Sequence, residues 1–292
     1  MPPVALITDF GLQDTYVGVM KGVMTAIAPQ LTYLDLTHSV SPQDIHAAQF
    51  HLLTAYPYLP AGTVYLVVVD PGVGSDRRAV AVQFPFGTVV CPDNGILTGL
   101  LHRYSSDRLK AVTLTRPAYW RQSAPASISA TFHGRDIFAP VAAHLAVGVP
   151  LATVGDPIAP AQLIQRPDLV IPTSASRGVI QHIDHFGNLI STITAQVVEA
   201  ISSPWQVLVG SASDVLSHGP IPCGSRYSSV PAGQLVALVG SHGWVEVAAN
   251  GASARNVLGA TVGTQIALQE QGRQMEPQRF GQTAAGADKP TV

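Results

Sequence analysis

Charged residues are scarce in this chain. They make up 12% of its 292 residues, 16 basic against 18 acidic, for a formal net charge of −2. So low a charge fraction, beside 47% hydrophobic residues, excludes a disordered polyelectrolyte and implies a large interior or subunit interface. A surface this poor in charge tends to associate, so an oligomer is expected. No basic run is longer than Arg77-Arg78, which leaves no positive stripe for a nucleic-acid partner. Cysteine is scarcer still. Cys91 and Cys223 stand alone, without a C-x-x-C pair, and read as small buried hydrophobes rather than as zinc ligands or a disulfide. The histidines lack His-x-x-x-His spacing, and His182 and His185 near a strand end are a weak signal, so no metal is expected. Long apolar runs are missing as well. Val64 to Val69 is far too short to span a bilayer, and the start Met1-Pro2-Pro3-Val4 lacks the pattern of a secretion signal. The expectation is a cytoplasmic enzyme acting on a small molecule, with no membrane or nucleic-acid partner.

What is present is an alternation. Apolar runs at Val4 to Ile7, Leu31 to Leu36, Val64 to Val69, Ala79 to Phe84 and Thr88 to Cys91 read as strands. Between and after them, Thr15 to Ile27, Pro42 to Tyr56, Asp93 to His102 and Ile137 to Val147 carry helical spacing. Continuous apolar strands suit a sheet covered on both faces. The pattern predicts an N-terminal α/β domain over residues 1–160 with a largely parallel central sheet. Residues 161–177, rich in proline and polar residues, read as a linker. Closely spaced short strands then follow: Gly178 to Ile183, Leu189 to Ile193, Trp205 to Val209, Leu235 to Val239, Trp244 to Ala248 and Thr264 to Leu268. They predict a smaller all-β, barrel-like domain over 178–268. Residues 269–292 are polar and aperiodic and read as a mobile tail.

Polar motifs sit at the ends of these elements. Thr8-Asp9-Phe10-Gly11 follows the first strand, where ligands bind in open α/β sheets, and a carboxylate there can accept hydrogen bonds from a diol. Asp9 alone would serve equally as a turn residue. Asp70-Pro71-Gly72-Val73-Gly74-Ser75-Asp76-Arg77 ends the third strand. Its glycines allow a tight turn, and Arg77 can return to pair with Asp70. The Gly-x-x-x-x-Gly-Lys phosphate loop is absent. Phe132-His133-Gly134-Arg135-Asp136 places a histidine beside an open neighbour, suited to moving a proton, while Asp136 reads as a helix cap. Asp184-His185-Phe186-Gly187-Asn188 offers a carboxylate, an aromatic face and an amide. Gly240-Ser241-His242-Gly243-Trp244, with Glu246 and Asn250-Gly251, forms another polar loop.

In this order, from about Val4 to Leu268, the five motifs resemble the S-adenosyl-L-methionine hydroxide adenosyltransferase family, relatives of the fluorinases and chlorinases. The resemblance implies hydrolysis of S-adenosyl-L-methionine to adenosine and methionine by an activated water at C5′. It implies no cofactor, and a homotrimer with the substrate between one subunit's N-terminal domain and a neighbour's C-terminal domain. Asp70, Arg77 and His133 match the catalytic set, with His133 the better candidate for the base. Asp9 would bind the ribose diol and Asp184 the methionine ammonium. Phe186 and Asn188 would hold adenine, and Ser241 the methionine end. Asn250 and Gly251 would touch the base, with Asp14, Phe132, Gly134 and Glu246 as further substrate-binding positions. Asp70 stands where halogenase relatives carry Tyr, and His133-Gly134 where the fluorinase has Tyr-Ser, which favours water over halide. Gln43 and His242 depart from the fluorinase pattern, which has an aromatic residue and an Arg there. A halide-dependent adenosyltransferase and a non-catalytic nucleoside-binding protein are the alternatives.

Overall fold

The computed structural model describes residues 1–122, 128–169, 176–201, 203–211, 214–215 and 219–271. The chain divides into two compact units, Met1–Val170 and Ile171–Val292. Residues 170–175 of the expected linker and 272–292 of the expected tail lie outside the described residues.

The first unit is built around two central strands that are buried along their whole length. β1 (Val4–Thr8) leads through α1 (Tyr16–Ile27) to β2 (Tyr33–Thr37), and α2 (Ile45–Ala55) leads to β3 (Thr63–Val68). β4 (Ala79–Phe84) and β5 (Gly87–Pro92) form a hairpin. α3 (Thr98–Arg103), β6 (Lys110–Thr113), α4 (Ala139–Ala146) and β7 (Asp156–Ile158) follow. The seven strands are ordered β2-β1-β3-β5-β4-β6-β7. β2, β1, β3 and β5 are mutually parallel neighbours, and β4, β6 and β7 continue the sheet through antiparallel pairs. Val4, Leu6, Val64, Leu66 and Val68 share one core with Met20 and Met24 of α1 and with Val141 and Ala142 of α4. Strand alternation turns Ala5, Ile7, Tyr65 and Val67 to the opposite face. Burial on both faces is why these strands carry no polar alternation.

The chain steps from β1 to β2 on one side and then back to β3 on the other. The order therefore reverses between β1 and β3, and the crevice beyond their carboxyl ends is the standard ligand position of such sheets. Thr8 is paired with Val68 there, so Asp9 and Asp70 leave adjacent strands at that crevice.

Three expected helices are shorter than their sequence pattern. The one expected from Pro42 starts only at Ile45, after Asp44 caps it by accepting Ala47 N. The segment from Asp93 begins as a turn, because Gly95 takes φ +103° and Asp93 is bound by Arg78 Nε and Ile164 N, each at 2.8 Å. α3 starts only at Thr98. The segment from Ile137 opens with a π-turn, Gly134–Phe138, before α4. Pro140 has no N–H to donate to the carbonyl of Asp136 four residues back. The Arg121 N–H takes that carbonyl instead, at 2.9 Å, and ties a distant loop to the turn. The expected linker is preceded by the edge strand β7, and its first residues are held to the first unit through the bonds of Arg78 to the Gln162 carbonyl and of Ile164 N to Asp93.

The second unit is antiparallel. It contains β8 (Arg177–Ile183), β9 (Leu189–Thr194), α5 (Ala195–Glu199), β10 (Trp205–Ser211), β11 (Asp214–Val215), β12 (Ile221–Pro222), β13 (Leu235–Val239), β14 (Trp244–Ala249), α6 (Ala254–Leu258) and β15 (Gln265–Glu270). The path β11-β10-β15-β8-β9-β14-β13 curls into a nearly closed barrel. β12 pairs with β10, Cys223 bridges to Ala237 of β13, and Gly224 N donates to the Ala237 carbonyl at 2.8 Å. Residues 221–224 thus cover the two remaining strand edges, which would otherwise present unpaired backbone groups. Ile180, Leu189, Val207, Val245, Val247 and Ile266 fill the interior. β15 runs to Glu270, into the segment expected as tail, because Gln206 and Trp205 of β10 pair with its end. Among the described residues, no helix is long and apolar enough to cross a membrane.

Gly155 shows how tightly the sheet edge is packed. A Cβ there would lie 1.8 Å from the Thr113 carbonyl oxygen, whereas one on Gly22 of α1 would meet nothing within 4 Å. Gly155→Ala is expected to cost about 1–3 kcal/mol through forced backbone shifts, and Gly22→Ala to stabilise by about 0.5–1 kcal/mol. Chemical denaturation of both variants checks the pair.

Candidate active site

Asp70 leaves β3 on a turn whose tightness the sequence supplies. Val73 N bonds to the Asp70 carbonyl at 3.2 Å, and Ser75 closes onto Gly72 O through both its N–H (3.1 Å) and its hydroxyl (2.7 Å). Gly74 takes φ +78°, and a Cβ there would lie 2.3 Å from the Ala130 carbonyl oxygen. No other residue fits both demands. The turn sends Arg77 back over Asp70. Arg77 Nε donates to Asp70 Oδ1 at 2.8 Å, and Nη2 to Oδ2, in a bidentate pair. Both side chains are largely buried, 9% and 6% exposed. Nη2 also donates to His133 Nδ1 at 2.9 Å, and the guanidinium lies over the Phe138 ring at 5.0 Å. Asp70, Arg77 and His133 form one connected chain.

His133 is held below the ordinary imidazole range, first by burial and then by the Arg77 charge, which outweigh the opposing Asp70 and Asp136. Its Nδ1 accepts from a guanidinium, so the neutral ring carries its proton on Nε2. The loop bearing it is anchored at Asp136, which has no exposed side-chain surface. Asp136 accepts Arg121 Nε and Arg135 Nε on Oδ1, and Ser129 N and Arg135 Nη2 on Oδ2. The expected cap is therefore a buried ionic hub. Burial would push its carboxyl up, but the Arg135, Ser129 and Arg121 hydrogen bonds prevail and bring it to about 2.

Asp9 follows Thr8 on β1. Burial raises its carboxyl above the usual range, opposed by the hydrogen bond from Gln43 N at 2.8 Å and reinforced by the Asp70 charge. Gln43 is the described non-glycine residue with positive φ, +66°, a conformation that concentrates at functional sites. Phe132 packs edge-on to Phe10 and Tyr16, with centroids 5.8 and 5.2 Å apart. Gly134 lies under these rings, where a Cβ would be 3.3 Å from Phe10 Cζ. Asp14 is exposed on the loop before α1.

The second unit holds a cavity of about 610 Å³ lined by Asp184, Phe186, Asn188, Tyr227, Asn250, Gly251 and the small residues around them. That volume suits a small organic ligand. Asp184 shapes the turn: Oδ1 accepts Phe186 N (2.9 Å) and Asn188 N (2.8 Å), and Oδ2 accepts Asn188 Nδ2 (2.9 Å). The turn leaves the Phe186 ring 73% exposed. Asn250 is braced by its bond to the Val230 carbonyl at 2.7 Å. Tyr227, which the sequence motifs did not single out, lines the same cavity. Its hydroxyl bonds to Glu246 Oε1 at 2.8 Å, and His242 Nε2 bonds to Oε2 at 2.9 Å. Burial and the Glu246 carboxylate push the Tyr227 hydroxyl up to about 12. Glu246 is buried behind Tyr227 and does not line the cavity, and neither does Ser241, which is exposed on its loop. Among the described residues no group of three or more His, Cys, Asp or Glu is gathered as metal ligands.

Comparison with known proteins adds a second line of observation. The family model of the SAM hydroxide adenosyltransferase N-terminal domain matches residues 4–155, and that of the C-terminal domain residues 178–267. A Thermus thermophilus protein named (R)-S-adenosyl-L-methionine hydrolase is 40% identical, over 92% of this chain and 100% of its own. A Salinispora arenicola protein of the same name is 38% identical, over 91% and 97%. A fluorinase of Actinopolyspora mzabensis is more distant, 25% identical over 86% and 92%. Among solved structures, an uncharacterised Thermotoga maritima protein superposes with a TM-score of 0.81 at 31% identity, covering 91% of this chain and 100% of its own.

Asp136 provides a stability test. Asp136→Asn leaves two guanidinium groups without their charge partner and is expected to cost about 3–5 kcal/mol. The native carboxyl titrates below its unfolded value of 3.8, so its contribution is complete above that value and is lost as pH falls toward 2. Denaturation curves between pH 6 and pH 2.5 should show the wild type losing stability over this window and the variant losing less.

Proposed function

The chain belongs to the SAM hydroxide adenosyltransferase family, and from that premise we propose that it hydrolyses S-adenosyl-L-methionine to adenosine and L-methionine. The observation that carries the chemistry is Arg77 bridging Asp70 and His133 at the crevice beyond β1 and β3.

The reaction sets modest demands. A water oxygen forms a bond to C5′, the C5′–S bond breaks, and its electron pair stays on sulfur as a neutral thioether. One proton leaves the attacking oxygen. The sulfonium is its own activated leaving group, so neither a general acid nor a metal or cofactor is required. Positioning supplies much of the rate when the nucleophile is held in line with the breaking bond. Arg77 and the Nε2–H of His133 are donors, suited to holding a water or hydroxide oxygen by its lone pairs. This arrangement favours His133 as an orienting donor rather than the base expected from sequence, because its acceptor nitrogen is already engaged by Arg77. The proton passes to Asp70. Although bound to Arg77, that carboxylate suffices, because the oxygen becomes strongly acidic as the C–O bond forms.

Asp9 binds the ribose diol through the carboxylate oxygen that Gln43 leaves open, with Phe132 and Gly134 shaping the wall beside it. The cavity of the second unit takes adenine, with Phe186 and Tyr227 as its faces and Asn188, Asn250 and Gly251 at its edges. In the homotrimer we propose, that cavity meets the Asp70–Arg77–His133 chain of a neighbouring subunit, consistent with a charge content of 12% and an uncovered Phe186. The methionine end falls to the Ser241-His242 loop, and Asp184 and Asp14 contribute negative charge toward its ammonium. Two cysteines without a disulfide suit the cytoplasm.

Incubation of the metal-stripped protein with S-adenosyl-L-methionine in ¹⁸O-water is expected to place label in the adenosine 5′-hydroxyl. Asp70→Ala and His133→Ala should each lose about 10²–10⁴-fold in kcat while retaining adenosine binding. Absence of adenosine, loss of turnover with EDTA, or a chloride-dependent 5′-chloro product would overturn the reading. The pH profile is a separate check. Protonation of His133 puts a proton on Nδ1 against Arg77, so the acid limb of kcat should lie below pH 6.5, the ordinary imidazole value.

A further inference from the structure

Thr8, immediately before Asp9, ends a hydrogen-bonded relay that the chemistry above does not use. Its hydroxyl lies 2.9 Å from His38 Nδ1, both residues being buried. The other ring nitrogen, Nε2, lies 3.0 Å from Asp35 Oδ1, and Lys21 Nζ donates to Asp35 Oδ2 at 2.6 Å. One placement of the protons serves every atom. A carboxylate only accepts, so Nε2 carries the ring proton and Nδ1 is the acceptor. The Thr8 O–H therefore donates to Nδ1, which leaves its oxygen to accept the Phe10 N–H at 3.3 Å. Burial would raise the Asp35 carboxyl, but the Lys21 and His38 bonds overcome it and hold it below the usual range.

The atom order is that of a hydroxyl–imidazole–carboxylate triad, yet Thr8 has 0% exposure and cannot meet a substrate. The output of the relay is geometry. Gly11 N donates to the His38 carbonyl at 2.7 Å, and Val40 N to the Thr8 carbonyl at 3.4 Å, so the segments Thr8–Gly11 and His38–Val40 are clasped along their length. Asp9 sits inside this clasp, with both chain neighbours bound. The second segment continues to Gln43, whose N–H holds Asp9 Oδ2 from a left-handed backbone. Side chain and backbone of the loop are thus fixed from the one segment that follows β2.

We propose that Thr8, His38 and Asp35 are positioning residues that orient the Asp9 carboxylate for a vicinal diol, so that the enzyme's preference for a ribose over a deoxyribose depends on a relay that never touches the sugar. This rests on the reading of Asp9 as the diol acceptor given above. It goes beyond that reading by assigning the discrimination to groups on β1, on β2 and just after β2 that lie behind Asp9.

The test compares two ligands on the full-length protein. Titration calorimetry with adenosine and with 2′,3′-dideoxyadenosine gives a ratio of affinities that isolates the diol. The wild type is expected to favour adenosine by tenfold or more. Thr8→Val keeps the shape of the residue and removes the relay's hydroxyl. It should weaken adenosine five- to tenfold, leave dideoxyadenosine unchanged, and raise KM more than it lowers kcat. Thr8→Ser restores the hydroxyl and should restore the ratio. Asp35→Ala, at a half-exposed position, provides the same readout should Thr8→Val fail to fold. A wild type that does not discriminate would overturn the role of Asp9 itself. A wild type that discriminates, with Thr8→Val or Asp35→Ala keeping the full ratio, would overturn the relay and leave Asp9 intact. Equal weakening of both ligands would also overturn it, because a merely structural residue would act on both.

Discussion

The first unit turns on one guanidinium. Arg77 is engaged on three sides at once, by the two carboxylate oxygens of Asp70 and by His133 Nδ1, with the Phe138 ring against it. A buried cation is tolerated only when its donors are satisfied, and here the partners come from the end of β3 and from the loop before the π-turn. Each depends on Arg77 for its own orientation. The imidazole tautomer follows from the guanidinium, and the guanidinium from the tight Asp70 turn that Gly74 permits beneath Ala130. The Asp136 hub, a short distance along the chain from His133, fixes the far side of the same loop. Polar chemistry can be buried at this place because the carboxylate, the guanidinium and the imidazole bind one another.

How much of this was legible depended on what carried the signal. β1 and β3 announced themselves because both of their faces are covered, so their sequences are nearly unbroken apolar runs. β6 and β7 did not, since Lys110 and the Asp156-Pro157 pair break the pattern while the backbone still pairs at the sheet edge. The helix expected from Asp93 was cut short by glycine in a left-handed conformation, which a spacing argument does not see. The π-turn before α4 followed from a proline in the second position of a regular helical pattern. Its consequence, the capture of the orphaned carbonyl by Arg121, joins segments too far apart in sequence for any local rule.

The site residues divide in the same way. Asp9, Asp70 and His133 stood out because each is a polar residue on a glycine-bearing loop next to a strand or helix end. Tyr227 was invisible. It lies in an aperiodic stretch, and its place in the cavity depends on β14 bringing Glu246 behind it. Glu246 was noticed for its charge, yet the structure uses that charge to anchor Tyr227 and His242 rather than to line the cavity. Asp184 similarly spends its hydrogen-bonding capacity on the turn that presents Phe186. Sequence marks where polar groups are. It does not mark which way they face once buried.

The barrel of the second unit has an uneven circumference. Most of its staves are joined by ladders of several residues, but β10 and β13 meet only through residues 221–224. A wall opens first where the fewest bonds must break together. In native-state hydrogen exchange, the amide of Gly224 should therefore lose protection before those of β14, and the thiol of Cys223 beside it should become reactive in step. The ladder of β9 with β14 would meanwhile stay paired, so the barrel can breathe at its latch while its opposite wall holds.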